Sequence, residues 1–348
     1  MTAPLRVALL GYGYASKTFH APLIVATGMQ LAAVQSSSAA KVHADWPDAV
    51  VHADAAAVFA DPAINLVVIA TPNDTHYPLA HAALLAGKHV VVDKPFTLTV
   101  AEARKLDALA ATQQRVLSVF HNRRWDADFL TIKALIEAGA LGEVAQFESH
   151  FDRFRPEVRQ RWREGAGPGA GLWYDLGPHI IDQALQLFGP PLAVFADLAQ
   201  RRSGAQSVDD AHVLLRYANR RVVLSASMLV AGGSPRFVVH GAQASFIKYG
   251  LDTQEDMLKA GARPGCTGWG HDTRHGELLI GTAGEPERQA LPTLPGDYRQ
   301  YYAGVRDAIS QGTANPVPAH QAIMVMEVLE LAMRSGEARQ ELAYIPAN

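Results

Sequence analysis

The 348-residue chain has a single cysteine, Cys266, so it can close no internal disulfide and cannot build a cysteine zinc cage. It has no excess of either charge: 31 Lys plus Arg stand against 34 Asp plus Glu. That near balance speaks against a nucleic acid or an anionic membrane surface as partner. No uncharged apolar run approaches the ~20 residues that span a bilayer. The opening MTAPLRVALLGYG lacks the pattern of a signal peptide, so a cytoplasmic location is expected. Its 14 histidines show no HExxH and no His/Cys ligand spacing, and no metal is expected. What is present is 49% hydrophobic and 19% charged residues, enough to bury cores, over a length that suits two domains.

Short apolar runs alternate with helical stretches through the first third. Runs such as Leu5–Leu10, Leu66–Ala70 and His89–Val92 read as strands buried on both faces of a parallel sheet. Asp74 reads as a helix N-cap, and Thr99 with Glu102 as a capping box. The expected first domain, 1–122, is a doubly wound α/β Rossmann sheet. After about His121, strands follow one another with alternating faces. The expected second domain, 123–348, is α+β, with a large, mostly antiparallel, open-faced sheet. Its exposed face favours a homodimer or homotetramer. A helix is expected near Ile180–Phe188, with Pro178 in its first turn, and long loops over 261–296.

Polar clusters sit at the expected carboxyl ends of the strands, where ligands bind in such sheets. Gly11-Tyr12-Gly13-Tyr14-Ala15-Ser16 stands where GxGxxG belongs, with Ser16 in place of the third glycine. Gly11 allows a tight turn, and Gly13 lets a pyrophosphate approach the helix N-terminus. The second strand ends in Gln35-Ser36-Ser37-Ser38, with Lys41 following and no acid to hold a ribose 2′-hydroxyl. Hydroxyls and a cation favour the 2′-phosphate of NADP, with NAD as the alternative if Lys41 is only a solvated helix residue.

Lys94, in Asp93-Lys94-Pro95, ends a buried strand. Desolvation and a neighbouring nicotinamide would lower its pKa toward the range of proton transfer. Asp175 and His179 are four residues apart on a helix and can share a face. Together they can hold a substrate hydroxyl, or they are a capping aspartate and a buried structural histidine.

These residues resemble the Gfo/Idh/MocA family of sugar and polyol oxidoreductases, over essentially the whole length. Asp93-Lys94-Pro95 matches the family's Glu-Lys-Pro with aspartate for glutamate, and Asp175, Gly177 and His179 match its Asp-x-Gly-x-x-His-type element. GYGYASKTFHAPL, HNRRWDADFLTIK, RPEVRQRWRE and YDLGPHIIDQ resemble the branch of NADP-dependent scyllo-inositol dehydrogenases. The resemblance implies catalytic Lys94, Asp175 and His179. It implies that Thr71, Pro72 and Asn73 lie along the nicotinamide ribose, with His76 following and with Asn122 and Arg123 near the cofactor. It implies a substrate pocket that includes Trp162, and Asp152 and Arg153 add donors and acceptors there. The expected activity is hydride transfer between NADP and a secondary alcohol of a cyclic polyol, scyllo-inositol first. The alternatives are another sugar or polyol and, in another class, a non-catalytic NADP-binding regulator.

Overall fold

A computed structural model of the chain describes residues 4–281 and 284–346. Two compact units result. The first takes the chain as far as Asn122, with Gln254–Trp269 and Asp297–Ile323; the second takes Arg123–Thr253, Gly270–Gly296 and the chain from Met324 onward.

The first unit starts with β1 (Arg6–Leu10), a π-helical turn (Ser16–His20) running into α1 (Ala21–Ala26), and β2 (Gln30–Gln35). There follow α2 (Ala39–His43), β3 (Val50–His52), α3 (Ala55–Ala60) and β4 (Leu66–Ile69). A 3-10 turn (Asn73–Thr75), α4 (His76–Leu85), β5 (His89–Val92), α5 (Val100–Gln113) and β6 (Leu117–Val119) complete the series. The strands lie in the order β3-β2-β1-β4-β5-β6, every pair parallel. Val7–Leu10, Leu66–Ile69 and Val90–Val92 are wholly buried, as unbroken apolar runs covered on both faces should be. The strand order reverses between β1 and β4, and the loops that follow these two strands meet there.

Local signals set the boundaries. The Thr99 side chain accepts the Glu102 amide at 3.2 Å and Glu102 accepts the Thr99 amide at 3.2 Å, the expected capping box. Asp74 is not an N-cap. It lies inside the 3-10 turn, and α4 begins two residues later at His76.

In the second unit come α6 (Ala127–Glu137), β7 (Val144–His150), α7 (Leu172–Phe188), β8 (Ala193–Ala199) and β9 (Asp210–Arg216). Then come β10 (Arg221–Ser227), β11 (Pro235–Gly241) and β12 (Ala244–Tyr249). After α8 (Gln254–Lys259), which counts with the first unit, lie β13 (Gly276–Ile280) and β14 (Glu287–Leu291). The chain closes with α9 (Arg299–Gln311), again of the first unit, α10 (Ala319–Ala338) and β15 (Leu342–Ala343). The return to the first unit has a physical basis: the Tyr301 hydroxyl donates to Ser118 Oγ at 2.9 Å, and Asn315 Nδ2 donates to the Leu117 carbonyl at 2.8 Å.

The nine-stranded sheet runs β14-β13-β12-β11-β7-β10-β9-β8-β15, antiparallel except where β7 meets β10. Helix α7 packs on β9 and β10, over a core of Phe147, Val213, Leu215, Val222, Leu224 and Phe237. Two expectations need correction. Residues 261–296 are not all loop, since β13 pairs with β12 and β14 extends the edge; the strands escape notice because β14 is almost wholly exposed and polar. Pro178 is not in a first turn either. Helix α7 starts six residues earlier, because the Leu172 amide donates to the Val208 carbonyl at 2.6 Å and fixes the entry. Among the described residues no helix is long and apolar enough to cross a membrane.

Helix α7 is anchored by Asp182, whose carboxylate accepts from Arg124 Nε at 2.9 Å and Nη2 at 2.6 Å, both residues being buried. Asp182→Ala leaves a buried guanidinium without its forked acceptor. The expected cost is about 3 kcal/mol, read as a lower urea midpoint at unchanged slope.

Candidate active site

The dinucleotide residues from Gly11 to Pro95, with Asn122, belong to the first unit; Arg123, Asp152, Arg153, Trp162, Asp175 and His179 belong to the second. Gly11 ends β1 at φ +82°, a left-handed conformation, and donates its amide to the Gln35 carbonyl at 3.0 Å. A Cβ there would stand 3.1 Å from the Ala70 oxygen and from Thr71 Cγ2, so the turn takes glycine alone. At Gly13 a Cβ would meet nothing within 4 Å. That open space before a helix start is what a pyrophosphate needs. Buried Ser16, in place of the third glycine, turns its hydroxyl back to the Gly11 carbonyl at 2.8 Å and so braces the turn itself. Ala15 leads into the π-helical turn. The loop's tyrosines point to protein partners: Tyr12 donates to Asp45 Oδ2 at 2.8 Å, and Tyr14 to Glu255 Oε1 at 2.9 Å. Burial, then the charge of Glu255, pushes the Tyr14 phenol up to about 12.

At the end of β2, Ser36 Oγ accepts the Ser38 amide at 3.2 Å, and Ser38 caps α2 by accepting the Lys41 amide at 3.4 Å. Ser37 and Lys41 are exposed beside them. The nearby carboxylate, Asp45, is paired with Lys17 at 2.8 Å.

The loops after β4 and β5 are tied together. Thr71 Oγ1 lies 2.5 Å from Thr75 Oγ1, and Thr75 also donates to the Pro72 carbonyl at 2.6 Å. Buried Asn73 opens the 3-10 turn. His76 is buried with Nδ1 2.8 Å from the Pro95 carbonyl and Nε2 3.1 Å from the Thr71 carbonyl. Its ring therefore bridges the two loops. Lys94 follows β5 directly, half-buried, and its peptide to Pro95 is cis. Asp93 accepts the Lys94 amide at 2.8 Å and faces His20 Nε2 at 3.6 Å, while His20 Nδ1 meets the Tyr302 hydroxyl at 2.6 Å. Burial alone would raise the Asp93 carboxyl. The close approach and charge of His20, with Lys94 and His76, outweigh it and hold the group at about 2. Asn122, buried, heads a 3-10 turn after β6.

In the second unit, Asp175 lies in the first turn of α7 and His179 one turn on. Gly171, at φ +95°, is pressed so close to Val208 and Ser207 that a Cβ would come within 3.1 Å of the Val208 oxygen. Phe151 gathers several predicted residues: Arg123 and Arg153 lie over its ring at 4.9 and 5.4 Å, and His179 stacks on it at 6.3 Å. Asp152 lies 3.8 Å from His150 Nδ1. Trp162 is exposed, with Arg163 over its ring at 4.4 Å, and Arg163 Nε approaches Asp175 at 3.7 Å. Spacing gives no signal for His20, Phe151 or Arg163. The last could be suspected from the alternating arginines of RPEVRQRWRE.

The chain matches two family models: residues 5–121 the oxidoreductase family's NAD-binding Rossmann fold, and residues 133–344 its C-terminal alpha/beta domain, both Gfo/Idh/MocA. It is 58% identical to YdgJ of Escherichia coli K12, named as an uncharacterized oxidoreductase, over 98% of this chain and 99% of that one. It is 40% identical to the scyllo-inositol 2-dehydrogenase (NADP(+)) IolW of Bacillus subtilis 168, over 97% and 95% of the two chains. A solved oxidoreductase structure from Yersinia pestis superposes with a TM-score of 0.96 at 55% identity, covering 100% of this chain and 99% of that one.

The depressed Asp93 carboxyl fixes the sign of one pH effect. Its folded pKa of about 2 lies below its ordinary 3.8, so its stabilisation is present above pH 3.8 and is lost as pH falls through 2. Thermal melts through that window should show Asp93→Asn losing about 2 kcal/mol less than the parent as acid is added.

Proposed function

Because the chain belongs to the Gfo/Idh/MocA oxidoreductase family, we propose that it is an NADP-dependent enzyme interconverting a secondary alcohol and a ketone on a cyclic polyol, with scyllo-inositol and its inosose as the first pair to test. The observation that carries the reading lies within the first unit. Gly11 of the dinucleotide turn abuts Thr71, and His76 ties Thr71 to Pro95, next to Lys94. A cation at the end of β5 is thereby held in one framework with the nucleotide loop.

Gly11, Gly13 and the helix start behind them would hold the pyrophosphate, and Thr71, Pro72 and Asn73 the nicotinamide ribose. Tyr12, Tyr14 and Ala15 shape the turn; Asn122 and Arg123 are further cofactor contacts. Ser36, Ser37 and Lys41 favour a 2′-phosphate, since two hydroxyls and a cation attract what an aspartate would repel. Bound nicotinamide supplies the hydride chemistry. In oxidation, Lys94 takes the proton from the reacting hydroxyl, and Asp93 fixes its backbone. His179 and Asp175 hydrogen-bond substrate hydroxyls, and Asp152, Arg153 and Trp162 add contacts to a hydroxyl-rich ring. Reduction runs the same proton back from the ammonium of Lys94. The name of the B. subtilis relative, at 40% identity, supports both the polyol and the NADP.

Lys94→Ala should lower kcat with scyllo-inositol and NADP by about 10²–10⁴-fold while leaving the dinucleotide bound. Steady-state rates across a polyol and sugar panel, with NADP and NAD in parallel, check it; unchanged turnover in the variant would sink the reading.

We also assign a second copy of this chain to the open face of the nine-stranded sheet. Leu214 opposite Val223 and Val238 opposite Ile247 form two apolar pairs on it, all partly exposed, with Glu148 of β7 in register between them. Sedimentation velocity should give a multiple of 37.5 kDa, and Val223→Glu should lower it.

A further inference from the structure

In the second unit a small, solvent-open pocket with about 10 Å³ of enclosed room is lined by Arg161, Arg163, Glu164, Gly171, Asp175 and Arg202, among others. Its charges do not cancel in place. The Glu164 carboxylate is buried and already shared: Arg161 Nε reaches it at 2.7 Å, Arg202 Nη1 at 3.1 Å and the Arg159 amide at 3.0 Å. Arg202 is further satisfied by Asp209 at 2.9 Å and by the carbonyls of Arg155 and Glu157. Arg161, by contrast, spends only its Nε. Among the described residues its terminal nitrogens have no hydrogen-bond partner. Arg163 has none for its guanidinium beyond the 3.7 Å approach to Asp175 and the face of Trp162. Arg155 and Arg159 likewise donate no side-chain hydrogen bond among the described residues.

The field at this place is positive. Burial, then the charges of Arg153, Arg159 and Arg161, depress the Arg155 guanidinium, and Glu164 does not offset them. A guanidinium carries five N–H donors in a fork matched to carboxylate and phosphate oxygens. The Arg161 and Arg163 side chains are about one-third exposed, 34% and 37%, so their unused donors face water and stand open to an incoming oxyanion. The N-terminus of the 17-residue α7 also opens on the cavity through Gly171 and Leu172, and its dipole adds to the same sign. A neutral polyol gives these forks nothing they prefer to water.

We propose that this cavity is an oxyanion subsite for a polyol or sugar bearing a carboxylate or phosphate, held by the terminal nitrogens of Arg161 and by Arg163. The proposal rests on the reading that Asp175 faces a substrate hydroxyl, since Asp175 lines the same cavity. A ligand with a hydroxyl and an oxyanion on one ring meets both. The substrate class is thereby extended from neutral cyclitols to sugar acids and sugar phosphates.

The test is calorimetric titration of the full chain, with NADP present, using D-glucuronate, glucose 6-phosphate, inorganic phosphate and scyllo-inositol at low and at physiological ionic strength. One of the two charged sugars should bind about tenfold or more tightly than scyllo-inositol at low salt, with the gap narrowing as salt rises. Glucuronate as the stronger names a carboxylate; glucose 6-phosphate names a phosphate. Arg163→Gln should weaken that ligand about tenfold at an unchanged melting temperature; Arg161→Gln should weaken it similarly while also lowering the melting temperature through the lost Glu164 contact, and Arg161→Lys should recover part of the binding loss. Equal binding of charged and neutral sugars, or charged binding indifferent to both Gln variants, overturns the proposal. So does inorganic phosphate binding as tightly as the charged sugars. Normal scyllo-inositol turnover with any of these results leaves the oxidoreductase reading standing and removes the subsite alone. The expected binding without turnover of any alcohol does the reverse.

Discussion

The buried imidazole of His76 lies between two backbone carbonyls, those of Thr71 and Pro95, and this bridge sets the relation of the strand-end loops that carry the candidate chemistry. A neutral ring has one N–H and can donate to only one of the two. The protonated ring would satisfy both and would gain from Asp93. Burial works the other way and wins, so the His76 pKa is lowered. The bridge is therefore a short contact on one side and a close approach on the other, both enforced by packing. Because Gly11 is pressed on Thr71 from the other direction, a shift in either loop would be felt at the nucleotide turn and at Lys94 alike.

The second unit solves a different problem, that of holding charges without water. Arg236 is buried, donating to Ser149 Oγ at 2.5 Å and to Gln183 Oε1 at 2.7 Å, and Gln183 in turn donates to the Arg123 carbonyl at 2.9 Å. Arg124 and Asp182 close a second pair. These contacts clamp the middle of α7 to the chain at Arg123 and to the sheet. The first two turns carry Asp175 and His179. Removing one member of such a pair costs more than the pair is worth, because the other stays buried and charged. That stiffness is what a site needs when it must hold hydroxyl-binding groups in fixed geometry.

Much of the first unit was legible because its signals are local. Continuous apolar runs, a glycine turn, a capping box and a polar residue after each strand all follow from backbone sterics and capping chemistry. The errors were also local signals, overruled by distant contacts. Pro178 suggested a helix start, yet Val208, 36 positions past Leu172 in the chain, supplies the carbonyl that begins α7 earlier. Edge strand β14 carries little apolar pattern, and only pairing with β13, itself paired with β12, makes it a strand. Asp74, a good capping residue, was absorbed by a 3-10 turn.

The sequence by itself determined the family, the two kinds of sheet and the identity of the residues offered for catalysis, because these depend on residue type and short spacing. It could not say that Ser16 braces the glycine turn, that His20 and Tyr302 stand behind Asp93, or that Phe151 gathers Arg123, Arg153 and His179. Nor could it say that, of the arginines in RPEVRQRWRE, Arg161 would pair with Glu164, or that Arg202 from outside that run would share the carboxylate and bind Asp209. Those facts join residues tens to hundreds of positions apart. Only the packed chain fixes them, since hydrogen bonds and desolvation act over a few ångströms in space, whatever the distance along the sequence.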